Sequence, residues 1–141
     1  MTRAETIDVA VPPLADSGPN PKWMTILGWV LTLAPAALLI MSGVMKLMEP
    51  EMVTKGFADQ GFPEGVHIPI GIAELASTAI YLIPQTAVLG AILVTGYMGG
   101  AMATHVRLGE PILIHIAIGV VAWLGIYFRE PRLRRLIPWR S

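Results

Sequence analysis

No cysteine occurs anywhere in the 141 residues. That absence removes disulfides, thiolate nucleophiles, CxxC redox chemistry and cysteine-ligated clusters from the functions open to the chain. Charge is scarce as well. Asp, Glu, Lys and Arg make up 14% of the sequence, where a soluble domain carries roughly a quarter. No haem-attachment motif and no nucleotide-binding loop is present. The first 21 residues lack an apolar core of the length a signal peptide needs, and they contain Asp8, Asp16 and several prolines. They read as a disordered tail ending in the turn-rich Ser17-Gly18-Pro19-Asn20-Pro21.

What the chain has instead is apolar residues, 54% of the total, gathered into long runs. The spacing predicts helical membrane spans at about 23–48, 66–83, 86–106 and 112–128. The fold class expected is all-α: a transmembrane four-helix antiparallel bundle over residues 22–128, with a basic tail over 129–141. Trp23 and Trp29 suit an interfacial belt, and Pro35 should kink the first helix. Between the first two spans, residues 51–60 predict a short interfacial helix with Met52, Val53 and Phe57 turned to lipid. The turns Pro84-Gln85 and 107–111 are too short for anything but antiparallel neighbours.

Four spans put both termini on one side. That side carries Arg3, Lys22, Arg129, Arg132, Arg134, Arg135 and Arg140, against Lys46, Lys55 and Arg107 on the other. Seven against three predicts cytoplasmic termini in the cell inner membrane. The tail 129–141, with its arginines among Leu133, Leu136, Ile137 and Trp139, reads as an anchor on anionic lipid and is too short a patch for nucleic acid.

Along this antiparallel path the ionisable groups converge in the outer half of the bundle. Ser42 and Lys46 close the first helix. Glu74 sits eight residues into the second, about 12 Å deep at the helical rise. Thr104, His105 and Arg107 close the third, and His115 lies about one turn into the fourth. Tyr97, two turns before Thr104, falls on nearly the same face. A bare carboxylate at that depth costs roughly 2.5–3.5 kcal/mol on insertion scales. Glu74 must therefore pair, with Lys46 the natural partner and Arg107 or a histidine the competitors, or else take up a proton. One reading makes this cluster a ligand or proton site; the other makes it an ion pair that holds helix register.

Two histidines and a carboxylate could hold a metal, but His105 and His115 form no HxxxH pair on one helix and neither stands in an ExxH pair, and no metal is expected. The methionine stripe Met41, Met45, Met48 and Met52, with Met98 and Met102 on the third helix, reads as packing in preference to a copper(I) site. Gly96 and Gly100 form GxxxG, and Gly99 with Ala103 a second small-residue ridge. Close packing inside the chain is the expected use, with homodimerisation the alternative.

The segments SGVMKL at 42–47, GFADQGFPE at 56–64, GIAELA at 71–76, LIP at 82–84 and TGYMGGAMATHVR at 95–107 together resemble the DoxX-like membrane proteins. The resemblance covers residues 38–137. It implies a four-helix membrane bundle in which Ser42, Gly43, Lys46, Glu74, Tyr97, Gly99, Gly100, Thr104, His105 and Arg107 occupy signature positions. The family takes its name from a subunit of a thiosulfate:quinone oxidoreductase. It therefore implies an accessory or subunit of a membrane redox system that binds quinone or a similar amphipathic ligand, beside a redox-protein partner and without a covalent cofactor. A scaffolding membrane protein and a small proton-linked transporter are the alternatives, the latter without the inverted repeat that transporters use.

Overall fold

A computed structural model describes residues 20–136. Residues 1–19 of the tail expected over 1–21, and the end of the basic segment from 137 onward, lie outside the described residues. Those described form helices and no strand: α1 (Lys22–Met48), α2 (Glu51–Asp59), α3 (His67–Leu82), α4 (Ala87–Arg107), α5 (Leu113–Arg129) and α6 (Pro131–Leu136). The chain belongs to the all-α class.

Local chemistry sets the joints. α1 runs unbroken through Pro35 and stops at Glu49, which takes the left-handed conformation at φ 50°; Pro50 then starts a new direction into α2. The link from α3 to α4 is one 3₁₀ turn, Pro84–Thr86, in which the Thr86 hydroxyl donates to the Ile80 carbonyl at 2.8 Å and satisfies an end carbonyl of α3. Just past the end of α4, Gly109 takes φ 71° and the Glu110 N–H returns to the His105 carbonyl at 2.9 Å.

The four long helices close a ring. α1 packs on α3 and α5, and α4 packs on the same two. Every neighbouring pair is antiparallel, as the facing residues show: Gly43 against Gly71 at one end of α1, Gly28 against Arg129 at the other, and Gly90 against Tyr81. Both ends of the described chain meet at one end of the bundle, where Asn20 donates to the Phe128 carbonyl at 2.9 Å and accepts from Arg134.

The inside of this ring is more polar than its outside. α3 turns His67, Gly71, Glu74, Thr78 and Tyr81 inward. They recur at alternating intervals of four and three, the seam of a helix packed at a shallow angle. Meanwhile the outward faces expose large apolar side chains, Trp23 at 62% and Leu113 at 74% among them. Small and polar residues inside with large apolar ones outside suit a bundle bathed in lipid. α1 and the stretch Pro84–Arg107 are long and apolar enough to cross a membrane; α3 and α5, at 16 and 17 residues, are apolar but shorter.

Close approach is made by glycines other than the expected ridge. A Cβ at Gly90 would lie 2.2 Å from the Tyr81 backbone, whereas at Gly96, Gly99 or Gly100 it would meet nothing within 4 Å. Gly96, Gly100 and Ala103 are exposed and Gly99 half-exposed. Packing within the chain through that ridge is thus corrected: α4 meets α3 through Gly90, on a different face. Gly90→Ala should lower stability by roughly 1–3 kcal/mol through overpacking, while Gly96→Ala should stay within about 0.5 kcal/mol of wild type. Thermal unfolding of the two purified variants checks this.

Candidate ligand-binding site

α1 and α3 meet where Gly43 faces Gly71, close enough for Lys46 on α1 to lie beside Glu74 on α3. The Lys46 ammonium donates to Glu74 Oε2 at 2.9 Å and to Ser42 Oγ, one turn back on its own helix, at 2.6 Å. Ser42 donates in turn to the same Oε2 at 3.3 Å. The Glu74 side chain is 2% exposed and that of Lys46 14%. Of the partners open to Glu74 at the sequence level, Lys46 is the one the fold supplies. In low dielectric such a pair is kept only if both charges are hydrogen-bonded, and the Ser42 bridge does part of that.

The pair forms one wall of a cavity of about 640 Å³ at the α2 end of the bundle. Tyr97 lines it from α4, within electrostatic range of the Glu74 carboxylate. Thr104 lines it too, although its hydroxyl donates back to the Gly100 carbonyl at 3.2 Å. His105 and His115 face one another across the α4–α5 turn, ring centroids 4.4 Å apart, and both border the cavity. His105 Nδ1 lies 2.6 Å from Glu110 Oε2. With that carboxylate as acceptor, Nδ1 carries the proton and Nε2 of the neutral ring is left as an acceptor. His115 Nδ1 is buried and has no hydrogen-bond partner among the described residues. The rest of the lining, Leu39 and Ile118 for example, is apolar.

α2 roofs this cavity with Phe57, Gln60 and the following Phe62. No residue of α2 is buried. It is held by the rings of Phe57 and Phe62, 5.5 Å apart, by Phe57 against His67 at 5.9 Å, and by Arg107. Arg107 is therefore outside the polar cluster in which it was expected. It stands exposed at the last turn of α4, past the cavity, and its Nη2 donates to the Gln60 carbonyl at 2.7 Å. Its work is to tie the roof to α4. Of the small-residue ridge, Gly100 lines the cavity and Gly99 borders a separate groove.

Three features went unread in the sequence. His67, at the start of α3, is buried; its Nε2 is 3.6 Å from Glu49 Oε1, too long for a hydrogen bond. The HxxxxxxE spacing from His67 to Glu74, two helical turns, places both on the inner seam and was the available signal. At the opposite end, Tyr81 reaches across the ring to donate to the Ala122 carbonyl at 2.9 Å. Arg129, assigned to the tail by sequence, is instead the last residue of α5: its guanidinium lies 4.5 Å over the Trp29 ring and donates to the Tyr81 carbonyl at 3.1 Å. The end of the bundle at Pro84–Thr86 is therefore not free of buried polar contacts. Among the described residues no group of three or more His, Asp or Glu is placed to hold a metal.

Apolar-faced helices around a charged cavity define an all-α membrane protein. A model of the DoxX-like family matches residues 30–127, well over half the chain, and the chain belongs to that family. No curated protein and no solved structure matches it.

Lys46→Met leaves Glu74 buried without its counter-charge and should cost roughly 3–5 kcal/mol. The pair Lys46→Met with Glu74→Leu, which removes both charges, should return to within about 2 kcal/mol of wild type. Denaturation of the three proteins in the same detergent measures both.

Proposed function

We infer that this chain is a multi-pass protein of the cell inner membrane, with both termini in the cytoplasm, whose cavity holds the head group of a quinone or a similar amphipathic ligand for a membrane redox system. The observation that supports this reading is the composition of the cavity. A hydrogen-bonded Lys46–Glu74 pair, Tyr97 and two facing histidines stand in an otherwise apolar chamber. Binding sites for small amphipathic molecules combine an apolar lining with a few placed polar groups in this way.

The donor set fits a planar head group with carbonyl oxygens. His115 Nδ1, buried and unpartnered, is a polar atom that the protein itself leaves unsatisfied. Lys46 on α1 and Tyr97 on α4, which also line the cavity, can donate as well. A bound quinone would supply two-electron, two-proton acceptor chemistry. The chain's own residues bind and orient the head, exclude water, and place a proton-accepting carboxylate, Glu74, beside the phenol of Tyr97. With no cysteine in the sequence and no haem or nucleotide motif, electrons would pass through a redox-protein partner. The excess of arginine and lysine at the end shared by both termini supports the cytoplasmic orientation.

A scaffolding role is favoured by one observation of its own: Ser42 and Lys46 both satisfy Glu74 Oε2 without any ligand. Mass spectrometry of small molecules co-purifying with wild type and with Glu74→Gln separates the two readings. A quinone or comparable amphiphile should accompany the wild type and fall on the order of tenfold, about 1.4 kcal/mol of binding, in a well-folded variant. A wild type with no bound amphiphile, and a variant changed only in stability, would support the scaffold.

A further inference from the structure

A second cavity, also about 640 Å³, runs along the outside of the bundle between α4 and α5. It differs from the first in being almost wholly apolar, lined for instance by Met102, Ile116, Val120 and Leu124. Ile116, Val120 and Leu124 are all exposed, so the groove opens sideways toward the surrounding lipid. It exists because two of its wall positions are glycine. A Cβ at Gly99 or at Gly119 would meet nothing within 4 Å, so neither glycine is there to let another helix of this chain approach.

The groove and the polar cavity share two wall residues, Met98 and His115. From His115 the groove follows α5 to Tyr127, twelve residues or about 18 Å at the helical rise. Near its inner end Trp123 Nε1 donates to the Thr95 hydroxyl at 2.9 Å, bridging α5 and α4 across the groove floor.

We propose that this groove is the seat of the alkyl or prenyl tail of the ligand whose polar head occupies the cavity, and that the ligand enters laterally from the bilayer between α4 and α5. The inference rests on the amphiphile reading above and deepens it: the ligand class narrows to molecules with a long flexible tail. Adjacency at His115 and Met98, which line both spaces, is what selects this occupant. A phospholipid chain or a second copy of the chain would cover the same apolar wall but would have no reason to share a residue with the head-group cavity. His115 lies where the polar head must give way to the tail, and the absent side chains of Gly99 and Gly119 leave the channel that the tail fills.

The test uses the full purified chain and two probes, a tailless benzoquinone (ubiquinone-0) and the same head with a saturated tail (decylubiquinone). Affinities are measured for wild type, Gly119→Leu and Gly99→Leu. Both variants place a side chain in open space and should fold. Wild type should prefer the tailed probe on the order of tenfold or more, since each buried methylene adds to binding. In both variants that preference should collapse toward unity while affinity for ubiquinone-0 is unchanged. Detergent partitioning of the tail is the same for all three proteins and drops out of the comparison. A preference that survives in both filled-groove variants overturns the tail site and leaves the head-group site standing. If neither probe binds wild type, the head-group reading falls and the tail site with it.

Discussion

The structure depends on keeping a carboxylate charged, or hydrogen-bonded, inside a bundle whose outer surface is oil. Glu74 is almost completely covered. Without a partner it would oppose insertion of α3 by several kcal/mol. Lys46 and Ser42 remove that opposition only if α1 and α3 come very close in one register, and the facing glycines Gly43 and Gly71 are what allow it. A Cβ at Gly71 would fall 2.9 Å from that of Lys46, so the glycine and the ion pair are parts of one arrangement. Once α1 and α3 are locked, the short turn after Leu82 fixes α4 on α3, and the ring closes through α5.

That lock sits at one end, and the consequence is a chamber. Four helices meeting around a charged pair cannot fill the space beside it with apolar side chains without stranding polar atoms. The space left is roofed by α2, a helix with an apolar side and no buried residue, held by aromatic contacts and by Arg107. The opposite end of the ring solves its polar problem differently. There Arg129 is stacked on Trp29, Tyr81 is bonded across to Ala122, and Ile126 and Ala122 fill the interior. That end keeps a cavity of its own, about 680 Å³ beside Trp29, Ile126 and Arg129, and what sets the α2 end apart is the buried Lys46–Glu74 pair on its cavity wall, where the proposed ligand chemistry lies.

Much of this was legible in the sequence because the signals involved depth and order along the chain. The apolar runs and the turns between them dictate helices and their antiparallel order. The depth of Glu74 demands a partner, and Lys46 is the long cation at the matching level. What was not legible was rotation. α4 is apolar nearly all round, so periodicity does not say which face points inward. Gly96 and Gly100 advertise close packing by their spacing, yet the helix makes its close contact through Gly90, a glycine with no GxxxG partner facing the same neighbour. Arg107 is in the right turn of the chain but beyond the end of the cavity. Arg129 falls in the basic tail by sequence, and the stacked Trp29 ring and the Tyr81 carbonyl that hold it at the end of α5 come from helices far off in the chain.

The central claim is that the space beside the ion pair is a binding chamber and not merely a packing fault. The absence of cysteine makes a direct measurement possible, because a single introduced thiol is unique in the chain. Thr104→Cys places it on the cavity wall, and Ala103→Cys places it on the exposed neighbouring face. Each is labelled in membranes with a permeant maleimide, with and without saturating decylubiquinone. The account predicts that the quinone slows labelling at position 104 and leaves position 103 unchanged. Equal rates at position 104 with and without the quinone would contradict it.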